Sequence, residues 1–75
     1  MTNQISITQI EAAINYWRQA HPAQGEELKL HGAVAALAEP YAMLIMTRRA
    51  HVEFDRLDAQ AQEAIQQWHQ AFRQP

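Results

Sequence analysis

Apolar residues recur every three to four positions in three stretches of the chain, each followed by a polar or proline-containing break. In the first, Ile10, Ala13, Ile14, Trp17 and Ala20 fall on one face, with Asn15, Arg18 and Gln19 on the other, as an amphipathic helix over about residues 8–20 requires. Thr8-Gln9-Ile10-Glu11 reads as its capping box, with Ile7 just before the cap. His21-Pro22 should end the helix, because a residue before proline is pushed out of the α region.

Residues 22–30 then read as an irregular connection, turned at Gly25 and plugged onto the core by Leu28 and Leu30. The connection is long for so small a chain, so residues 24–29 are either an apolar-anchored linker or a binding loop.

A second helical stretch, about residues 33–50, carries Val34, Leu37, Ala38, Tyr41, Leu44 and Ile45 in one phase. Pro40 lies inside it and must either kink the helix or divide it, since proline lacks an N–H and its ring clashes with the carbonyl of Ala36. Tyr41-Ala42-Met43-Leu44-Ile45-Met46 is apolar on every side, which makes this segment the expected central element. Two neighbouring helices cannot cover all of it, so Met43 and Met46 are candidates for a partner surface or self-association, including a homodimer.

Val52 and Phe54 have the alternate spacing of an extended segment, as do Ile5 and Ile7. A two-residue ladder between these pieces would be marginal, and none is predicted. The third helix, about residues 58–72, has Asp58 as N-cap and a stripe of Leu57, Ala61, Ala64, Ile65, Trp68 and Phe72. Its water-facing side is rich in glutamine, with Gln60, Gln62, Gln66, Gln67 and Gln70 beside Glu63. The expected fold is therefore all-α, a small three-helix bundle in one domain over residues 1–75, with four helical segments if Pro40 splits the second helix.

Composition narrows the chemistry. No cysteine means no disulfide, thiolate metal site or cysteine nucleophile. The four histidines, at positions 21, 31, 51 and 69, form no i, i+3 or i, i+4 pair, so no metal site is predicted unless loop histidines converge with Glu26, Glu27 or Asp55. The hydroxyl residues Thr2, Ser6, Thr8 and Thr47 have no acid or base at catalytic spacing. Neither glycine belongs to a phosphate-binding loop. No catalytic residue, cofactor or enzyme activity is expected. The N-terminal residues lack a basic segment followed by an apolar one, and Pro40 interrupts the longest apolar run, so neither a secretory signal nor a membrane span is expected and the cytoplasm is the expected compartment.

A formal net charge of −2 gives no general attraction to nucleic acid or anionic lipid. Arg48 and Arg49 close the second helix, where cations complement the helix dipole. Together with Arg56 and Lys29 they could instead form a small basic patch, and a weak nucleic-acid-associated regulator is the alternative function. Tyr16 and Arg18 flank Trp17, and an Arg18 bridge to Glu26 or Glu27 would pin the long connection; the same groups could serve as a polar-aromatic contact surface.

The run Ile7-Thr8-Gln9-Ile10-Glu11-Ala12-Ala13-Ile14-Asn15-Tyr16-Trp17-Arg18, then Gly25-Glu26-Glu27-Leu28, Val34-Ala35-Ala36-Leu37-Ala38, Tyr41-Ala42 and Arg48-Arg49, resembles a family of short proteobacterial proteins defined only as a domain of unknown function. The resemblance spans residues 5–68. It implies a small, cytoplasmic bacterial chain, and it carries over no activity, cofactor or catalytic residue. The function expected from the sequence is a non-enzymatic protein-interaction or regulatory module. Its candidate surface is Tyr16, Arg18, Glu26, Glu27, Met43, Met46, Arg48 and Arg49, and its partner is another protein or a second copy.

Overall fold

The structure is a computed structural model that describes residues 3–19 and 27–73, with side chains described for residues 3–19 and 31–71. In chain order the elements are β1 (Gln4–Ser6), α1 (Ile7–Gln19), α2 (Glu27–Thr47), β2 (His51–Glu53), a 3₁₀ turn (Phe54–Arg56) and α3 (Ala59–Arg73). The described chain is mostly helical, with three α-helices as expected, but it also carries a two-stranded antiparallel sheet that the all-α reading left out.

That sheet pairs Gln4 with Glu53, Ile5 with Val52 and Ser6 with His51. Backbone bonds from Phe54 N–H to the Asn3 carbonyl and from Ile7 N–H to the Ala50 carbonyl, both 2.8 Å, extend the ladder at each end. The ladder is therefore longer than the marginal one weighed from the sequence. Its flanks are anchored by Ile5 and Phe54, both buried in the core.

The sheet also decides where α1 begins. Ser6 leaves β1 as the N-cap: the Gln9 N–H donates to Ser6 Oγ (3.0 Å), and the Ser6 N–H donates to Gln9 Oε1 (2.9 Å). The capping box is thus Ser6-x-x-Gln9, two residues ahead of the expected Thr8-x-x-Glu11. In this register Ile5 and Ile10 stand before and after the cap, and both are buried, as a hydrophobic staple requires. Thr8 is an exposed residue of the first turn.

α2 differs most from expectation. It starts at Glu27, so the second half of the expected loop is helix, and Pro40 lies within one helix of 21 residues that is not divided. The Ala36 carbonyl cannot receive an intrahelical bond at Pro40, and that loss is confined to one turn. The helix ends at Thr47, before Ala50. Arg48 takes a left-handed backbone, with φ of 55°. Its N–H donates to the Ile45 carbonyl (3.2 Å), and the Arg49 N–H donates to the Leu44 carbonyl (2.9 Å). Those two bonds form a Schellman stop with arginine at the position usually given to glycine. Arg48 and Arg49 consequently lie just past the helix and not in its last turn.

α3 follows the expected plan. The Ala61 N–H donates to Asp58 Oδ1 (2.8 Å), which makes Asp58 the N-cap. Leu57, Ala61, Ala64 and Ile65 are buried, and Trp68 is partly buried against the same cluster. Across the core the Trp17 Nε1–H donates to the Ala64 carbonyl (3.0 Å), tying α1 to α3. Ile10 and Leu37 are fully buried at the centre.

Candidate functional site

From α2 the core takes Ala33, Leu37 and Leu44, a narrow stripe for so apolar a helix. Its C-terminal half was expected to be central but incompletely covered, with Met43 and Met46 left over. Leu44 is buried, but Met43, Ile45 and Met46 are 56%, 52% and 78% exposed. The reason is geometric: α1 and α3 both pack on the same side of α2, and among the described residues no third element reaches the other. Ala35, Ala38 and Ala42 are exposed as well, so this outward face carries few polar groups.

Beside that face runs an open groove of about 600 Å³. One wall is a helical stripe of α2, namely Ala36, Glu39, Pro40, Met43, Leu44 and Thr47, and the other is Arg56, Leu57, Asp58 and Ala61 at the start of α3. β2 closes one end, with Arg49 and Gln4. Met43 therefore belongs both to the groove and to the exposed face. The groove brings Arg49 and Arg56 together, as the basic-patch reading requires, but places Glu39, Glu53 and Asp58 in the same lining. Two guanidinium groups among three carboxylates make a mixed-charge rim. Of the groove's polar groups, the Asp58 carboxylate is engaged as a helix cap, and the Thr47 hydroxyl donates to the Met43 carbonyl (2.7 Å).

The remaining candidates are scattered. Arg48 is exposed but is not part of the groove lining, and neither is Met46. Tyr16 is 39% exposed and meets Trp17 edge-on, with ring centres 5.5 Å apart. Arg18 is exposed near the end of α1. Glu26 lies outside the described residues, as do the side chains of Glu27 and Lys29, and with them any bridge from Arg18. His21 also lies outside; among the described residues no three His, Asp or Glu side chains cluster as a metal site would need. No helix among the described residues is long and apolar enough to cross a membrane.

One polar contact was not legible beforehand. The Tyr41 hydroxyl donates to Glu11 Oε2 at 3.3 Å, linking α2 to α1 across 30 residues of sequence. The Glu11 charge, then partial burial and the hydrogen bond itself, raise the Tyr41 pKa above its ordinary value of 10.0. Sequence spacing offers no signal for a pair so far apart. The groove's Glu39, Pro40 and Thr47 were also missed, although Glu39, Met43 and Thr47 follow at intervals of four, as do Ala36, Pro40 and Leu44, which places the two rows side by side on one side of a helix.

No curated protein and no solved structure matches the chain. A family model described as "Protein of unknown function (DUF3717)" matches residues 3–70, covering β1 through most of α3, and the chain belongs to that family.

Proposed function

We propose that this chain is a non-enzymatic protein-interaction module whose contact surface is the outward face of α2 together with the adjoining groove. The observation that carries this reading is the exposure of Met43, Ile45 and Met46 on a single helical segment. Large apolar side chains exposed singly are ordinary; three within four residues, continuous with an apolar-floored groove, mark a surface that gains by being covered. Methionine suits such a surface because its flexible thioether adapts to the shape it meets. The engagement of Asp58 and Thr47 in helix-terminal hydrogen bonds favours binding over catalysis in the groove.

Site-specific photocrosslinking in the living cell tests this. A benzophenone amino acid at Met43 or Met46 should give adducts of discrete mass, and the same probe at Gln66 on the solvent face of α3 should give none. Equal labelling at all three positions, or none at any, contradicts the reading.

The nucleic-acid alternative draws on the convergence of Arg49 and Arg56 on one groove. The three carboxylates beside them weaken it, because phosphate neutralisation needs a surplus of cations. Retention of labelled DNA at low salt, lost in an Arg49→Ala/Arg56→Ala variant, would favour that reading.

A further inference from the structure

The two edges of the small sheet are unlike. Backbone bonds join Phe54 to Asn3 and Ile7 to Ala50, so in this antiparallel register Val52 and Ile5 form the bonded pair between them. The backbone groups of the intervening residues point away from the neighbouring strand: Gln4 and Ser6 on β1, His51 and Glu53 on β2. β1 closes its edge at Ser6, whose N–H donates to Gln9 Oε1 and whose carbonyl, at the N-cap, accepts the first bond of α1. β2 leaves its edge open. Among the described residues, the N–H and carbonyl of His51 and the N–H of Glu53 have no partner within the chain. The Glu53 carbonyl opens the 3₁₀ turn and keeps a second lone pair.

This edge is accessible. His51 and Glu53 are exposed. His51, Val52 and Glu53 line the groove in succession, which side chains alternating between two faces would not do, so the strand's edge itself borders that open space.

We propose that β2 pairs edge to edge with β2 of a second copy, antiparallel, about a two-fold axis through Val52. The pairing goes beyond the reading of α2 and does not depend on it. In this register His51 lies opposite Glu53 of the other copy on both sides of the axis. Each such pair exchanges two backbone bonds, His51 N–H to the Glu53 carbonyl and Glu53 N–H to the His51 carbonyl, so the open groups of the edge meet their own complements. Two marginal two-stranded sheets become one sheet of four strands.

Side chains select the same register. Residues directly opposite stand about 4.5–5.5 Å apart at Cβ, where each His51 imidazole can donate to a Glu53 carboxylate, and like residues fall on the diagonals, about 7–8 Å apart. An axis through Glu53 would set two carboxylates face to face. An axis through His51 would set Glu53 opposite Arg49, whose N–H is already bonded to the Leu44 carbonyl. Past the ladder the Val52 axis brings Arg49 towards Asp55 and Arg48 towards Arg56, one attraction and one repulsion outside the hydrogen-bonded stretch, so the choice rests on His51 and Glu53.

Amide hydrogen exchange followed residue by residue by NMR tests the pairing. From dilute to millimolar chain, exchange of the His51 and Glu53 N–H groups should slow several-fold, while the Gln4 N–H, an outward group of the other strand, should not change. Sedimentation equilibrium at the millimolar end should show dimer. Glu53→Lys should return it to monomer, and His51→Glu/Glu53→Lys, which exchanges the pair instead of removing it, should restore the dimer. Both side chains are exposed, so circular dichroism should be unchanged in either variant. Equal exchange at both concentrations, the same slowing at Gln4, or a dimer indifferent to Glu53→Lys overturns the pairing. Protection of the two amides that appears only on adding an unrelated threonine-valine peptide also overturns it, since the edge would then take a foreign strand.

Discussion

α2 and α3 use the same inward chemistry and opposite outward chemistry. Each lays a stripe of alanine and larger aliphatic residues on the core, Ala33, Leu37 and Leu44 from one helix and Ala61, Ala64 and Ile65 from the other. Outward, α3 shows water Gln60, Glu63, Gln66 and Gln70, whereas α2 shows it Ala35, Ala38, Ala42, Ile45 and Met46. Folding explains both inner stripes. It does not explain the outer face of α2, which a polar surface like that of α3 would serve as well. The comparison separates residues that hold the fold from apolar residues that the fold leaves exposed.

The largest effect should come from the inner side. Leu37→Ala removes a fully buried side chain at the centre of the core and should cost about 2–5 kcal/mol, measured by urea unfolding. In a domain of this size that is a large part of the total stability, and the variant should unfold at markedly lower denaturant. A loss below about 1 kcal/mol would mean that α2 is not anchored as described.

Helix ends come next, and they sharpen the comparison because α2 is stopped by strain and α3 is started by a cap. Asp58→Ala should cost about 1 kcal/mol by stripping the Ala61 N–H of its acceptor. Arg48→Gly should instead stabilise the chain by about 1 kcal/mol, since glycine takes the left-handed backbone without the Cβ clash that arginine suffers. Thermal unfolding of the two variants should shift in opposite directions.

How much of this was legible follows the range of the interactions. The faces of α1 and α3 were readable because local periodicity alone sets them, and Asp58 was readable because a cap acts within three residues. The start of α1 was not. Ser6-x-x-Gln9 and Thr8-x-x-Glu11 are equally good boxes, and the choice is made by β1 pairing with β2 more than forty residues away. Glu27 was hidden as a helix start because Gly25 and Gly32 flank it and read as loop punctuation. The residue set of the site was partly legible: an all-round apolar segment exposed Met43 and Met46 as candidates, but the groove needed the packing of α3 against α2, which no local pattern encodes.

A smaller, pH-dependent effect belongs to the contact between α1 and α2. The Tyr41 pKa is raised in the folded chain, so the folded state holds that proton more tightly than the unfolded one. Its stabilising share is therefore complete below about pH 10 and is lost as the pH rises through the raised value. Stability measured across that alkaline range should fall less steeply in Tyr41→Phe than in the parent chain. Identical slopes would remove the Glu11 contact from the account.

The smallest expected change in stability is also the most decisive. Ile45→Gln/Met46→Gln gives the outer face of α2 the character of α3, and urea unfolding of the double variant at low micromolar protein should match the parent within about 0.5 kcal/mol. A loss of 2 kcal/mol or more would show that Ile45 and Met46 hold the monomer together, and the division of α2 into a folding face and a contact face would be wrong.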